Sequence, residues 1–330
     1  VSELFPHKKA ASGVEPATPS AELVELATAL PTHLRLGTSS WSFPGWKGLV
    51  WDGDYAEAKL ARSGLSAYAQ HPLFRTVSLD RSFYKPQTVG QFIELAAQVG
   101  DDFRFVVKAP SVITDAMIRN DEGQGMKLNP NFLDATQVER LLIEPALQGL
   151  GHKLGALVFQ ISPLPNLYLA QVPAMIERLH TLLKAIPALQ AAAPDGIVAV
   201  EVRDRQWLTP GFVDALRDTG ATYCLGLHGK MPPISEQLWV LRALWPGPFV
   251  CRWNMNLLHG AYGFEEAGRQ YEPFDKMVDP DPATRAALVR VIKGTASAGH
   301  NVFVTVNNNA EGSAPLSIIE LARALSTTGA

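Results

Sequence analysis

Eight short apolar runs recur along the chain, and each breaks into polar or charged residues at its C-terminal end. They are LRLGTSSW (34–41), TVSLDRSFY (76–84), FRFVVKAP (103–110), LGALVFQIS (154–162), IVAVEVRD (197–204), ATYCLGLH (221–228), PFVCRWN (248–254) and NVFVTVNNN (301–309). Segments of helical spacing alternate with them. Short apolar runs bounded by polar residues predict buried strands. Eight strand–helix units in a row predict an α/β fold, a single (β/α)8 barrel of the TIM type. That fold gathers its chemistry at the C-terminal ends of the strands. The competing architecture, an open doubly wound sheet, lacks its mark, because no GxGxxG or GxxxxGKS/T turn is present.

The intervening segments set the boundaries. Residues 1–31 read as a mobile N-terminal arm, polar as far as Pro19, followed by a short helix capped by Ser20 that would cover the bottom of the barrel. Residues 32–330 read as one barrel domain. Helices are expected over 55–71, from Pro86 to Gly100, over 131–149, 170–190 and 235–245, from Pro210 after Thr209, from Pro282 to Gly299, and after Ser313. Long loops, 111–130 and 255–279, follow the third and seventh runs, where this fold carries lids and substrate contacts.

Alternation sorts the strand faces. The outer face meets helices and should be purely apolar, so Val198, Val200 and Val202 go outward and Glu201 and Arg203 inward. The same rule turns inward Ser78, Asp80, Ser82 and Tyr84, then Lys108, Gln160, His228, Arg252, Asn254, Thr305 and Asn307. In the first run Ser39 and Trp41 are the inward pair. Polar residues at the strand starts look few by comparison, the asymmetry expected when one end holds a site.

Composition narrows the function. The chain has 330 residues, 47% apolar and 18% charged, enough for a large core. A net charge of −3 and a pI near 6.3 make a long nucleic acid an unlikely partner. Cys224 and Cys251 show no metal-ligand spacing and read as buried apolar residues. No apolar stretch reaches membrane-spanning length and no signal-peptide pattern opens the chain, so a cytoplasmic protein is expected.

The inward set suggests its chemistry. Three cations, Lys108, Arg203 and Arg252, face two acids, Asp80 and Glu201, which points to a small anionic, sugar-like or phosphorylated ligand. Glu201 is the candidate general acid or base, with Lys108, His228 and Asp80 as further catalytic candidates for isomerase- or hydrolase-type chemistry. Trp41, Tyr84, Gln160, Arg203, Arg252, Asn254, Asn307 and Asn308 are the candidate ligand contacts, through aromatic stacking, guanidinium pairing and amide hydrogen bonds. No cofactor is predicted. Asp80, Glu201 and His228 form the alternative divalent-metal set, and the cations an alternative bound-phosphate site. Two other readings stand beside the enzyme: a nucleotide or nucleic-acid barrel, and a non-catalytic barrel plugged by salt bridges. The oligomeric state stays open.

The strand ends also resemble a known family. GTSSWSFPGWKG (37–48), FRTVSLDRSFYKP (74–86), FRFVVKAP (103–110), LVFQISP (157–163), VEVRDRQW (200–207) and VNNNAEGSAP (306–315) together are similar to the YecE-like domain-of-unknown-function family, DUF 72. The resemblance runs over about 34–325 and implies a (β/α)8 barrel with no firmly established activity. It stresses Tyr84, Lys108, Gln160, Glu201, Arg203, Trp207 and Asn307-Asn308. The chain departs from the family pattern at Ser78 and Asp80, at Thr114-Asp115, and at Arg252-Trp253-Asn254, where His259-Gly260 is displaced into the loop.

Overall fold

Each apolar run forms one strand of a closed parallel barrel in the computed structural model, which describes residues 13–120 and 122–327. The strands are β1 (Leu34–Ser39), β2 (Phe74–Leu79), β3 (Arg104–Lys108), β6 (Leu154–Gln160), β7 (Ile197–Glu201), β8 (Thr222–Leu227), β9 (Phe249–Trp253) and β10 (Val302–Val306). Between β3 and β6, β4 (Met117–Arg119) and β5 (Gly125–Leu128) pair antiparallel as a separate hairpin. The order around the barrel is β1-β10-β9-β8-β7-β6-β3-β2, and β1 pairs with β2 to close it. Among the described residues, no helix is long and apolar enough to cross a membrane.

Alternation along the strands separates two apolar clusters. Val106, Ala156, Val158, Ile197, Ala199, Cys224, Val250 and Phe303 pack together inside the barrel. The larger cluster fills the space between strands and helices. Both cysteines are buried and free.

The barrel floor differs from expectation, because it too is polar. Asp195 Oδ2 pairs with Arg35 Nη2 at 2.9 Å and with Arg104 Nε at 2.8 Å. Asn301 Nδ2 donates to Asp195 Oδ1 at 3.0 Å. Arg35 lies over the Phe303 ring, 5.3 Å from its centroid. Asp195 and Asn301 sit in the loops just before strands, where alternation assigns no direction, so the apparent scarcity of polar groups at the strand starts was incomplete. A hollow of about 560 Å3 opens beside them, lined by Leu189, Asp195, Thr219 and His300, at the end opposite the polar strand termini.

Helix ends follow local capping. Thr88 caps the helix Val89–Ala96 through a reciprocal box with Gln91, which moves its start past Pro86. Gly64 interrupts the expected 55–71 helix, leaving Glu57–Ser63 and Leu65–Tyr68. Thr209-Pro210 and Asp281-Pro282 open helices as expected. Ser20 caps Ala21–Ala29, whose Glu22 pairs with Arg323 of the last helix, Ala314–Thr327. Residues 1–12 of the expected arm lie outside the described residues. The next segment is held in place: Val14 is buried, Ala17 N–H donates to Val50 and Asp52 N–H donates to Glu15.

Gly37 marks a close approach of two strands. The β1–β2 register shifts between Leu36 and Gly37, and a Cβ at Gly37 would fall 1.9 Å from the Thr76 carbonyl oxygen. That neighbour is backbone in a closed sheet and has nowhere to retreat. Gly37→Ala should therefore destabilise the barrel by about 3 kcal/mol or more, read as a lower midpoint in urea denaturation. An unchanged midpoint would show that β1 and β2 can separate locally.

Candidate functional site

The C-terminal mouth holds a buried ion cluster centred on Glu201, the last residue of β7. Its side chain has no exposed surface. Arg252 Nη1 donates to Oε2 at 2.7 Å, and Arg203 Nη2 lies 2.7 Å from Oε1. Asn254 Nδ2 donates to the same Oε1 at 3.2 Å. Arg252 Nη2 spans both Asp80 oxygens at 2.8 and 2.9 Å, and the Ser78 hydroxyl donates to Asp80 Oδ1 at 2.7 Å. Gln160 Oε1 accepts from Arg203 Nη2 at 2.8 Å and from Arg252 Nη1 at 3.1 Å. Four strands, β2, β6, β7 and β9, thus deliver side chains to one point.

A glycine makes room for the central carboxylate. A Cβ on Gly226, in β8, would lie 2.9 Å from both Glu201 Cγ and Oε1. Gly226 was not among the sequence candidates, because nothing in a strand pattern distinguishes a glycine that yields space from one that fills none.

Ionisation follows from this packing. Burial alone would raise the Glu201 pKa, but Arg203 and Arg252 outweigh it and hold the carboxyl at about 2. Asp80 is likewise held down, with Arg252 and Lys108 overcoming its burial. Burial works against the Arg252 cation, yet Asp80 and Glu201 raise its pKa overall. Glu201 is therefore a fixed anion near neutrality, an arrangement opposed to the proton exchange expected of a general acid or base.

Lys108 is the exception within the cluster. It ends β3, is buried, and its Nζ sits 3.9 Å from the centroid of the Phe83 ring. Among the described residues no carboxylate pairs with it. Burial, then the Arg252 guanidinium, lower its pKa to about 7, with Asp80 pulling the other way. Three cations against two carboxylates leave one positive charge in excess whenever Lys108 is protonated. Phe83 was missed in the sequence, where only its neighbour Tyr84 drew attention.

Other candidates fall at the margin or outside. His228 follows β8 and accepts from Lys230 N–H through Nδ1 at 3.2 Å, which places its proton on Nε2. Burial, then Arg203, lower its pKa to about 3, so it is a neutral donor. Tyr84 is 81% exposed, because the chain turns into the short helix Arg81–Tyr84 and strand alternation ends at Asp80. Ser82 accordingly turns to bond the Leu79 and Lys108 carbonyls. Trp41 is buried and donates from its indole to the Leu60 carbonyl at 3.0 Å, sealing the mouth rather than lining it. Asn307 accepts from Asn309 N–H, and Asn308 Oδ1 accepts from Trp46 Nε1 and Ala314 N–H. These two asparagines shape the last loop. Trp207 is buried against Phe212.

The alternative metal set of Asp80, Glu201 and His228 does not assemble. The carboxylate oxygens of Asp80 and Glu201 are engaged by guanidinium groups, and among the described residues no cluster of three His, Cys, Asp or Glu side chains is placed to hold an ion.

Residues 35–330 match the family described as "Protein of unknown function DUF72". The chain belongs to the DUF72 family. Its fold is shared with a DUF72 protein from Thermotoga maritima, 20% identical, TM-score 0.54, covering 88% of this chain and 98% of that one. A DUF72 protein from Enterococcus faecalis is 18% identical, TM-score 0.54, covering 88% and 95%. No curated protein matches the chain. In this DUF72 barrel the departures from the family pattern have definite contacts. Asp80 and Asn254 bind the central cluster, whereas Asp115 pairs with Arg119 at 2.6 Å, at the base of the β4–β5 hairpin.

Removing the central charge should be costly. Glu201→Gln leaves the buried Arg203 with no carboxylate partner and Arg252 with Asp80 alone, with an expected loss of about 3–5 kcal/mol in denaturant unfolding. Lys108→Met should act in the opposite sense and with a pH signature. Below about pH 7 the lysine is charged both folded and unfolded, so the folded state carries the full burial penalty. Above that, the folded protein sheds the proton while the unfolded chain keeps it to about pH 10.4, and stability rises with pH. The variant should thus melt higher than the parent at pH 6, with the gain shrinking toward pH 10.

Proposed function

We propose that the barrel mouth binds a small hydroxylated anion, carrying a phosphate or carboxylate, and that Lys108 is the group that exchanges a proton with it. The unpaired, buried ammonium of Lys108 carries this reading. A structural ion-pair plug accounts for the paired charges of Asp80, Glu201, Arg203 and Arg252, but it leaves Lys108 without a direct ion-pair partner. An arriving anion supplies one.

The unused polar atoms support the same ligand class. Among the described residues nothing bonds to Gln160 Nε2 or Asn254 Oδ1, because the other end of each amide is occupied by the cluster. With His228 Nε2, they offer two donors and one acceptor around the ion cluster, a set suited to sugar-like hydroxyls. Glu201 serves here as the anchor that fixes both arginines, and Lys108 takes the acid–base role first expected of Glu201. The reaction class that fits is an isomerisation or hydrolysis needing one group that titrates near neutrality.

Sulfate tests the binding step, since its charge is constant across the relevant pH range. It should raise the melting temperature of the protein at pH 6. The apparent affinity should weaken above about pH 7, approaching tenfold per pH unit as Lys108 loses its proton. Lys108→Met should abolish the effect. Glucose 6-phosphate should stabilise more than sulfate if the amides read hydroxyls. Equal stabilisation of parent and Lys108→Met by sulfate would refute the lysine as the anion's partner.

A further inference from the structure

We propose that Lys108 is also a covalent site, whose amine condenses with the carbonyl group of a small anionic aldehyde or oxo acid to form an imine. This rests on the anion-binding reading of the mouth and names the substrate class for it. Three features of the geometry carry it. The amine stands at the C-terminal end of a barrel strand, among the inward polar groups. Among the described residues no carboxylate forms an ion pair with it, while the Arg203 and Arg252 guanidinium groups share its cluster. Its immediate cover is the Phe83 ring, which supplies an apolar wall and no competing acceptor.

Those surroundings favour the neutral, nucleophilic amine, and a pKa of about 7 leaves it half unprotonated near neutrality. In the condensation the Nζ lone pair forms the C–N bond as the carbonyl π pair moves to oxygen. One proton passes from nitrogen to that oxygen through solvent and a second comes from solvent. The C–O bond then breaks to release water and leave a cationic imine. No electrons are gained or lost overall. The product keeps the single positive charge that protonated Lys108 would have placed there, now on an adduct whose own anionic group offsets it. Gln160 Nε2, on the strand paired with that of Lys108, remains as a donor for the carboxylate or phosphate of the adduct.

Reductive trapping on the intact protein tests this directly. Glyoxylate with cyanoborohydride should convert Lys108 to its carboxymethyl form, located by peptide mass spectrometry. At pH 7 its occupancy should exceed that of the exposed Lys127 and Lys184 by about tenfold or more, because burial beside Arg252 keeps more of Lys108 in the reactive neutral form. Trapping at Lys108 should reach half its maximal rate near pH 7. Added sulfate should suppress the Lys108 adduct alone. Lys108 labelling no greater than that of Lys127 and Lys184 would overturn the covalent role. If sulfate still stabilises the protein in that case, the anion site stands without the imine chemistry. Failure of both removes the two readings together.

Discussion

A carboxylate placed where no water reaches it must be neutralised by the protein itself, and at Glu201 this is done by two guanidinium groups at 2.7 Å. Much of the mouth follows from that constraint. Arg252 reaches Glu201 with one nitrogen and has the other free for Asp80, which brings β2 into the cluster. Gln160 caps the two arginines from β6. Gly226 yields the volume the carboxylate needs. A buried ion pair of this kind is weak evidence of net stability, since its desolvation offsets its attraction. Its effect here is positional, because it fixes two long cationic side chains in one geometry.

The same rigidity isolates Lys108. With both carboxylates committed elsewhere, the lysine is the member of the cluster whose charge is not settled by its neighbours. Its position over Phe83 shields it from solvent on one side, and the residue keeps about 7% of its surface exposed. One element of the cluster is thus able to respond to a ligand while the rest hold their places, the division of labour expected of a preorganised site.

Much of this was legible in the residue pattern. Alternation placed Lys108, Gln160, Glu201, Arg203, Arg252 and Asn254 together because these positions lie in or directly beyond regular strands, where the period of two persists. It failed at Ser82 and Tyr84, where the chain leaves β2 for a helical turn and the period changes. The role of Glu201 was hidden for a different reason. A carboxylate at a strand end reads as a proton-transfer group until its partner is known, and Arg252 stands 51 residues away. The floor cluster shows the same limit more sharply, since Arg35 meets Asp195 across 160 residues and Asn301 across 266. Phe83 and Gly226 matter through the space they occupy or leave, which a linear sequence does not display.

The barrel interior is stacked in tiers: ions at the floor, ions at the mouth, and between them Val106, Ala156, Val158, Ile197, Ala199, Cys224, Val250 and Phe303. That middle tier is mostly hydrocarbon and one thiol, with the buried Thr76 and Ser78 side chains beside it on β2. It carries no ionisable side chain but Cys224, so among the described residues no charge of the floor pairs with a charge of the mouth across it. The two charged ends are therefore separate ion clusters, and a substitution in one leaves the pairings of the other intact.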